Sequence, residues 1–189
     1  MQFEKVFIEG LLVIKPDVYP DDRGYFFESF NKQKYIEGGL DFVFVQDNIS
    51  KSKRGTVRGL HYQVGDYSQG KLCSVIAGKV LDVAVDIRFG SPTFGKYYSV
   101  ELSGDLNNQL WIPPGFAHGF SVLSDEAIFS YKCTNIYCKG NERAILFNDS
   151  QLEINWQTQH PIVSPKDLLA KKFSEIEKDF IYHTDRGQK

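Results

Sequence analysis

Between the N-terminus and about residue 160 the chain never sustains apolar residues at helical spacing. Short runs rich in Val, Ile, Phe and Tyr are instead cut by Gly, Pro, Asn and Asp, the pattern of a mainly β protein. The clearest run is Val80 to Arg88. There Leu81, Val83, Val85 and Ile87 make one apolar face, while Asp82, Asp86 and Arg88 interrupt Val80 and Ala84 on the other. One face therefore belongs to a core, and the other to a wet surface or a polar cavity. Turn signals recur at Asp21-Asp22-Arg23-Gly24, Ser91-Pro92, Ser103-Gly104-Asp105, Pro113-Pro114-Gly115 and Lys139-Gly140-Asn141, a spacing that suits a sandwich or jelly roll. A chain of 189 residues without repeats or a low-complexity linker predicts one domain.

Two helices interrupt this β text. A short one falls within Asn31 to Glu37 and is stopped by Gly38-Gly39. A longer one is predicted near the C-terminal end, where Ser164 caps, Pro165 suits the first position, and Leu169, Phe173, Ile176 and Phe180 form an apolar seam among Lys and Glu. That helix is expected to lie against the sandwich.

Charge and cysteine usage narrow the function classes. A formal charge of −2 and a pI near 6.1 give no general attraction to nucleic acid or to an anionic membrane, so an anionic ligand needs a local cluster of Arg and Lys. Cys73, Cys133 and Cys138 are odd in number and lack C-x-x-C spacing. With no signal sequence or long apolar run beside them, they predict a reducing cytoplasm, no disulfides and no membrane span.

No G-x-x-x-x-G-K-[ST] occurs, nor a G-x-G-x-x-G between a strand and a helix, which excludes the P-loop and Rossmann readings. The richest constellations are Arg58-Gly59-Leu60-His61-Tyr62-Gln63 with Gln69-Gly70-Lys71, and Pro113-Pro114-Gly115-Phe116-Ala117-His118. They resemble the paired motifs of cupins. In metal-binding cupins the first motif supplies H-x-H and a following Glu, but here Gln63 holds the second His position and no Glu follows at that spacing. Two imidazoles fall short of the three or four ligands a mononuclear metal takes, so no metal is expected and His61 and His118 are free for acid–base work.

Taken singly, the polar residues have plain structural readings. A lone strand His is more often a hydrogen-bonder than a catalyst, although its unperturbed pKa suits it as a base near neutral pH. Tyr131 is one of 10 tyrosines, most of which fill cores in a protein of this kind. Ser164-Pro165-Lys166-Asp167 reads as a capping box with Asp in place of Glu. Asp82 and Asp86 fit solvated positions, and Arg23, Arg58, Lys71 and Lys166 fit ordinary surface charges.

Taken together, the segments resemble the dTDP-4-dehydrorhamnose 3,5-epimerase family, also called dTDP-4-keto-6-deoxyglucose epimerases, over nearly the whole chain. The matching text begins with Asp22-Arg23-Gly24-Tyr25-Phe26-Phe27-Glu28, Gln46-Asp47-Asn48, Val57 through Gln63 and Gln69-Gly70-Lys71-Leu72. It continues through Asp82 to Arg88, Ser91-Pro92-Thr93-Phe94-Gly95, Trp111 to Phe120, Tyr131-Lys132-Cys133-Thr134 and Ser164 to Asp167. The resemblance implies a cupin-type jelly roll in which His61 is the general base, Asp167 orients it, Tyr131 is the general acid and Lys71 stabilises charge. It places Arg23, Glu28, Gln46, Asn48, Arg58, Lys71, His118, Glu142 and Lys166 on ligand-contact positions. It also implies an N-terminal strand exchanged across a homodimer, so that Arg23 and Glu28 serve the neighbour's site, and it implies no cofactor.

The implied substrate, dTDP-4-keto-6-deoxy-D-glucose, makes sense of these residue types. A proton next to a ketone is acidic because the enolate puts negative charge on oxygen, so the site needs a base and a cationic or hydrogen-bonding group near that oxygen. Inversion also needs a donor across the ring, and a phenol is protonated at neutral pH. The nearest rival is 3-epimerisation alone by the same machinery. Beyond it stand a metal-dependent cupin isomerase or oxygenase, which would hold stoichiometric metal, and a non-catalytic sugar-nucleotide binder, which would exchange no protons. Two points need the structure. Strict alternation puts Arg58 on the face opposite His61 unless Gly59 marks a bulge or Arg58 precedes the strand. In addition, Ile136 stands where relatives often carry an aromatic.

Overall fold

The computed structural model describes residues 1–183. Its strands are β1 (Gln2–Lys5), β2 (Leu12–Lys15), β3 (Val18–Asp21), β4 (Gly24–Phe27), β5 (Gln46–Lys53), β6 (Val57–Gln63) and β7 (Lys71–Ala77). They continue as β8 (Lys79–Asp86), β9 (Tyr97–Ser103), β10 (Gln109–Ile112), β11 (Phe116–Val122), β12 (Glu126–Cys133) and β13 (Glu142–Ala144). Two sheets face each other, one in the order β1-β2-β10-β7-β12-β5 and one in the order β13-β6-β11-β8-β9. From β5 to β8, and again from β10 to β12, each successive strand changes sheet, which makes the sandwich a jelly roll of cupin type.

Alternation explains how the layers form. Cys73 and Val75 of β7, Leu110 and Ile112 of β10, and Ala127 and Phe129 of β12 meet Val80 and Ala84 of β8 and Phe116, Phe120 and Val122 of β11 between the sheets. The other face of β8, with Leu81, Val83 and Val85, is just as dry. It packs under Ile145, Phe147, Leu152, Trp156, Phe173 and Phe180 from the C-terminal third of the chain. Both faces of β8 are therefore buried. Asp82 and Asp86, read from sequence as solvated, are 0% exposed. Asp86 is satisfied by Arg88, Ser91 and Thr93.

The short helix forms as predicted, as α1 (Lys32–Glu37) with Asn31 capping Lys34 and Gly38 at its end. It drops Tyr35 against Trp111, Leu72 and Ile14 on the outer face of the first sheet. The long C-terminal helix does not form. Ser164 caps only one turn, α2 (Pro165–Leu168), and Leu169 is left 87% exposed. Beyond it the backbone bonds outward: Leu146 N–H to Lys171 O, Phe173 N–H to Asp149 Oδ2, and Phe89 N–H to Phe180 O. Phe173, Ile176 and Phe180 still pack, partly buried, against the second sheet, but from an irregular strap. An isolated helix of that length is marginal in water, and the hydrogen bonds and burial offered by the sheet outweigh it.

Candidate active site

At one end of the sandwich, polar side chains replace the apolar filling and line a cavity of about 620 Å³. The registers set the arrangement. His61 of β6 lies directly across from His118 of β11 in one sheet, and Tyr131 of β12 lies between Asn48 of β5 and Cys73 of β7 in the other. All of these but Cys73 line the cavity, with Arg58, Lys71, Glu142, Lys166 and Asp167 around them. His61 and Tyr131 therefore reach the space from opposite sheets.

Arg58 and His61 share a face because β6 bulges. Phe120 pairs with Arg58 and His118 with His61, so three steps on β6 oppose two on β11. Gly59 makes this possible, with φ of 129° and a backbone so close to β11 that an added Cβ would stand 2.5 Å from Gly119 Cα. The register decides for a bulge at Gly59.

His61 Nε2 lies 2.6 Å from Asp167 Oδ1, which leaves Nδ1 as the ring atom available to a ligand. Asp167 is 3% exposed. Burial alone would push its carboxyl up, but the bond and charge of His61, with donors from Gly59 and Ser164, outweigh burial and hold it below the ordinary range. The capping box is only half made: Ser164 Oγ accepts from the Asp167 backbone N–H, while the Asp167 carboxylate is diverted to His61. Burial drives the Tyr131 phenol up to about 12, with Cys133 and Cys73 adding to it, so the group stays protonated at neutral pH. Lys71 Nζ sits 5.9 Å from the centre of the Tyr131 ring, aimed into the same space.

At the mouth, Lys166 pairs with Glu142, which also accepts from Tyr137 at 3.0 Å. Gln46, placed among the ligand contacts from sequence, is not part of the cavity wall. It accepts the Tyr137 N–H at 2.8 Å and bonds Asn48 at 3.0 Å, fixing the loop and a wall residue. Gln63, at the cupin second-His position, accepts the Cys138 N–H from inside the same loop. Ile136 is not in the wall, whereas its neighbour Tyr137 is. Its signal was an aromatic one position late.

Arg23 and Glu28 lie elsewhere. Arg23 extends from the tip of the β3–β4 hairpin with its side chain 90% exposed and paired to Asp21. Glu28 bonds Lys34 and Asn31. Neither touches this cavity.

The two cupin-motif histidines do not converge on one point. His118 Nε2 turns to Asp82 Oδ1 at 2.6 Å, with Cys73 Sγ 3.7 Å from the same nitrogen. Cys73, Asp82 and His118 are close enough to suggest ligands, within 4.8 Å of one another. However, a 2.6 Å contact is a hydrogen bond, since donor atoms about 2.0–2.3 Å from a tetrahedral zinc stand more than about 3 Å apart.

Against this geometry, a sequence model of the dTDP-4-dehydrorhamnose 3,5-epimerase family matches residues 5–175. The dTDP-4-dehydrorhamnose 3,5-epimerase of Shigella flexneri is 51% identical over 178 residues, covering 94% of this chain and 98% of that one. A crystal structure of the Legionella pneumophila dTDP-6-deoxy-D-glucose-3,5-epimerase, in complex with dTDP-4-keto-L-rhamnose, superposes with a TM-score of 0.93 at 48% identity, covering 97% and 99% of the two chains. A dTDP-4-dehydrorhamnose 3-epimerase of Streptomyces niveus is more distant, at 34% identity over 93% of this chain and 85% of that one.

Proposed function

This chain belongs to the dTDP-4-dehydrorhamnose 3,5-epimerase family, and on that premise we propose that the cavity inverts C3 and C5 of dTDP-4-keto-6-deoxy-D-glucose by proton removal on one face and return on the other. The observation that carries the mechanism is the placement of His61 and Tyr131 on opposite sheets around one cavity. His61 Nδ1 takes the proton from the carbon beside the C4 ketone, and Asp167 stabilises the imidazolium that results. The electron pair of the broken C–H bond moves to the ketone oxygen, where the Lys71 cation offsets the charge. Tyr131 then gives its hydroxyl proton to the carbon from the far side and recovers one from solvent, while the His61 imidazolium releases its proton to solvent. The ketone is already present in the substrate, so the reaction needs no redox cofactor.

Lys166 and Arg58 serve the diphosphate, with Asn48 and His118 toward the sugar. Arg23 and Glu28 serve the cavity of a second copy. In support, the β3–β4 hairpin stands apart from both sheets with Tyr19, Tyr25 and Phe26 exposed, an apolar arm suited to a partner surface in a homodimer. Among the described residues no helix is long and apolar enough to cross a membrane. The three thiols are unpaired, which supports the cytoplasm as the compartment.

Incubation with dTDP-4-keto-6-deoxy-D-glucose in deuterated water, followed by NMR, tests the assignment. Inverted product labelled at C3 and C5 is expected. Label at C3 alone would reassign the enzyme as a 3-epimerase, and label at neither carbon would defeat the reading.

A further inference from the structure

Beneath the cavity floor lies a buried group that the mechanism above leaves without a task. Asp82 is 0% exposed, its Oδ1 is 2.6 Å from His118 Nε2, and its Oδ2 has no hydrogen-bond partner among the described residues. His118 is 6% exposed, lines the cavity and lies nearly parallel to the Phe129 ring at 5.9 Å. Cys73 closes the third side, 3.7 Å from the same nitrogen. Every hydrogen bond of the His118 side chain among the described residues is thus made by Nε2. The remaining ring nitrogen, Nδ1, makes no hydrogen bond among the described residues, and the ring lines the cavity.

We infer that Asp82 is a positioning residue that holds the His118 proton on Nε2, so that His118 presents the Nδ1 lone pair to the cavity and accepts a hydrogen bond from a hydroxyl of the keto-hexose. The inference rests on the sugar-nucleotide reading of the site and adds the polarity of one contact. An ionised carboxylate only accepts, so the ring nitrogen facing it must donate. The other nitrogen of a neutral imidazole is then an acceptor. Burial holds the His118 pKa down against the opposing pull of Asp82, and the Lys71 and His61 charges push the same way as burial. Neutrality also serves its neighbour: a second imidazolium directly across from His61 would oppose the proton His61 takes up.

A ketone oxygen has no proton to give, so His118 does not polarise the carbonyl. That task stays with Lys71, and His118 selects for a hydroxyl-bearing sugar. A site built around a lone pair rejects a ligand without the matching donor, because the acceptor is then buried unpaired.

Long-range 15N–1H NMR of the imidazoles in the intact wild-type enzyme reads the tautomer directly, and His118 should carry its proton on Nε2 alone. Asp82→Asn offers an amide in place of the carboxylate and should give a mixture of tautomers. Its affinity for dTDP-glucose should fall about tenfold, by calorimetry, while its affinity for dTDP and for dTDP-glucose analogues lacking the contacted hydroxyl stays within about twofold. A proton on Nδ1, or on both nitrogens, in the wild-type enzyme would overturn the inference. Equal losses for ligands with and without the hydroxyl would also overturn it. Failure of dTDP-glucose to bind the wild-type enzyme would instead count against the sugar-nucleotide reading, with the tautomer still legible.

Discussion

Replacement of Asp167 by Asn isolates the electrostatic part of the His61 pair. The carboxylate bonds His61 Nε2 at 2.6 Å, and the helix cap beside it uses the Asp167 backbone N–H rather than the side chain. Asp167→Asn therefore keeps the cap and an oxygen facing His61, but loses the charge that stabilises the imidazolium. A hydrogen bond to a charged partner is worth about 1.5–3 kcal/mol. Spent on the transition state, that is a loss of about 10- to 150-fold in kcat/KM, at about 1.36 kcal/mol per tenfold. Because the cap survives, the melting temperature should move by no more than about 2–4 °C, the equivalent of about 1 kcal/mol in a domain of this size. Ser164→Ala is the control, costing about 0.5–2 kcal/mol of stability through the lost cap. Initial rates by NMR and a thermal melt on each variant decide the matter. An Asp167→Asn enzyme within about threefold of wild type would refute the charge-stabilisation argument. So would a rate loss no larger than that of Ser164→Ala at equal destabilisation.

His61→Asn should lower turnover by about 10² to 10⁴ while dTDP affinity, measured by calorimetry, stays near the wild-type value. Preserved turnover would remove His61 as the base. Gly59→Ala forces a Cβ to within 2.5 Å of Gly119 Cα at a φ of 129° and should destabilise the fold by more than about 2 kcal/mol in chemical denaturation. A neutral result would mean that β6 does not need its bulge. Acid stability should track Asp86. Burial alone would push this carboxyl up, but bonds from Arg88, Ser91 and Thr93 outweigh burial and hold it below the ordinary range. The unfolded chain then binds the proton more readily, so stability is complete above about pH 4 and lost as pH falls through the folded value. Asp86→Asn should flatten that part of the melting-temperature profile, and an unchanged acid limb would argue against it.

The β architecture was legible because strand alternation and turn chemistry are local: β8, the β10–β11 turn at Pro113-Pro114-Gly115, and α1 between Asn31 and Gly38 all stand where the sequence pattern puts them. The C-terminal helix failed for a physical reason. Phe173, Ile176 and Phe180 are spaced for a helix, but their burial comes from a sheet whose position the local sequence does not state. The same blindness made Asp82 look solvated, since its partner His118 is 36 residues away and on another strand. Asp167 read as half of a cap for the same reason, its ring partner lying 106 residues upstream. Family resemblance, not spacing, brought His61, Tyr131, Lys71 and Asp167 into one list, and the fold sets them around one cavity.

The central claim is that proton removal and return come from opposite sheets, and Tyr131→Phe tests it most directly. The substitution deletes one hydroxyl and leaves the ring against Phe129 and Lys71. In deuterated water His61 should still form the enolate, and the proton it carries should exchange with solvent before returning to the original face. Recovered substrate should therefore gain deuterium at C3 at a rate within about tenfold of wild type, while inverted product falls by about 10² or more. Equal loss of exchange and inversion would contradict the account, because it would mean that Tyr131 orients the sugar or supports the site rather than delivering the proton.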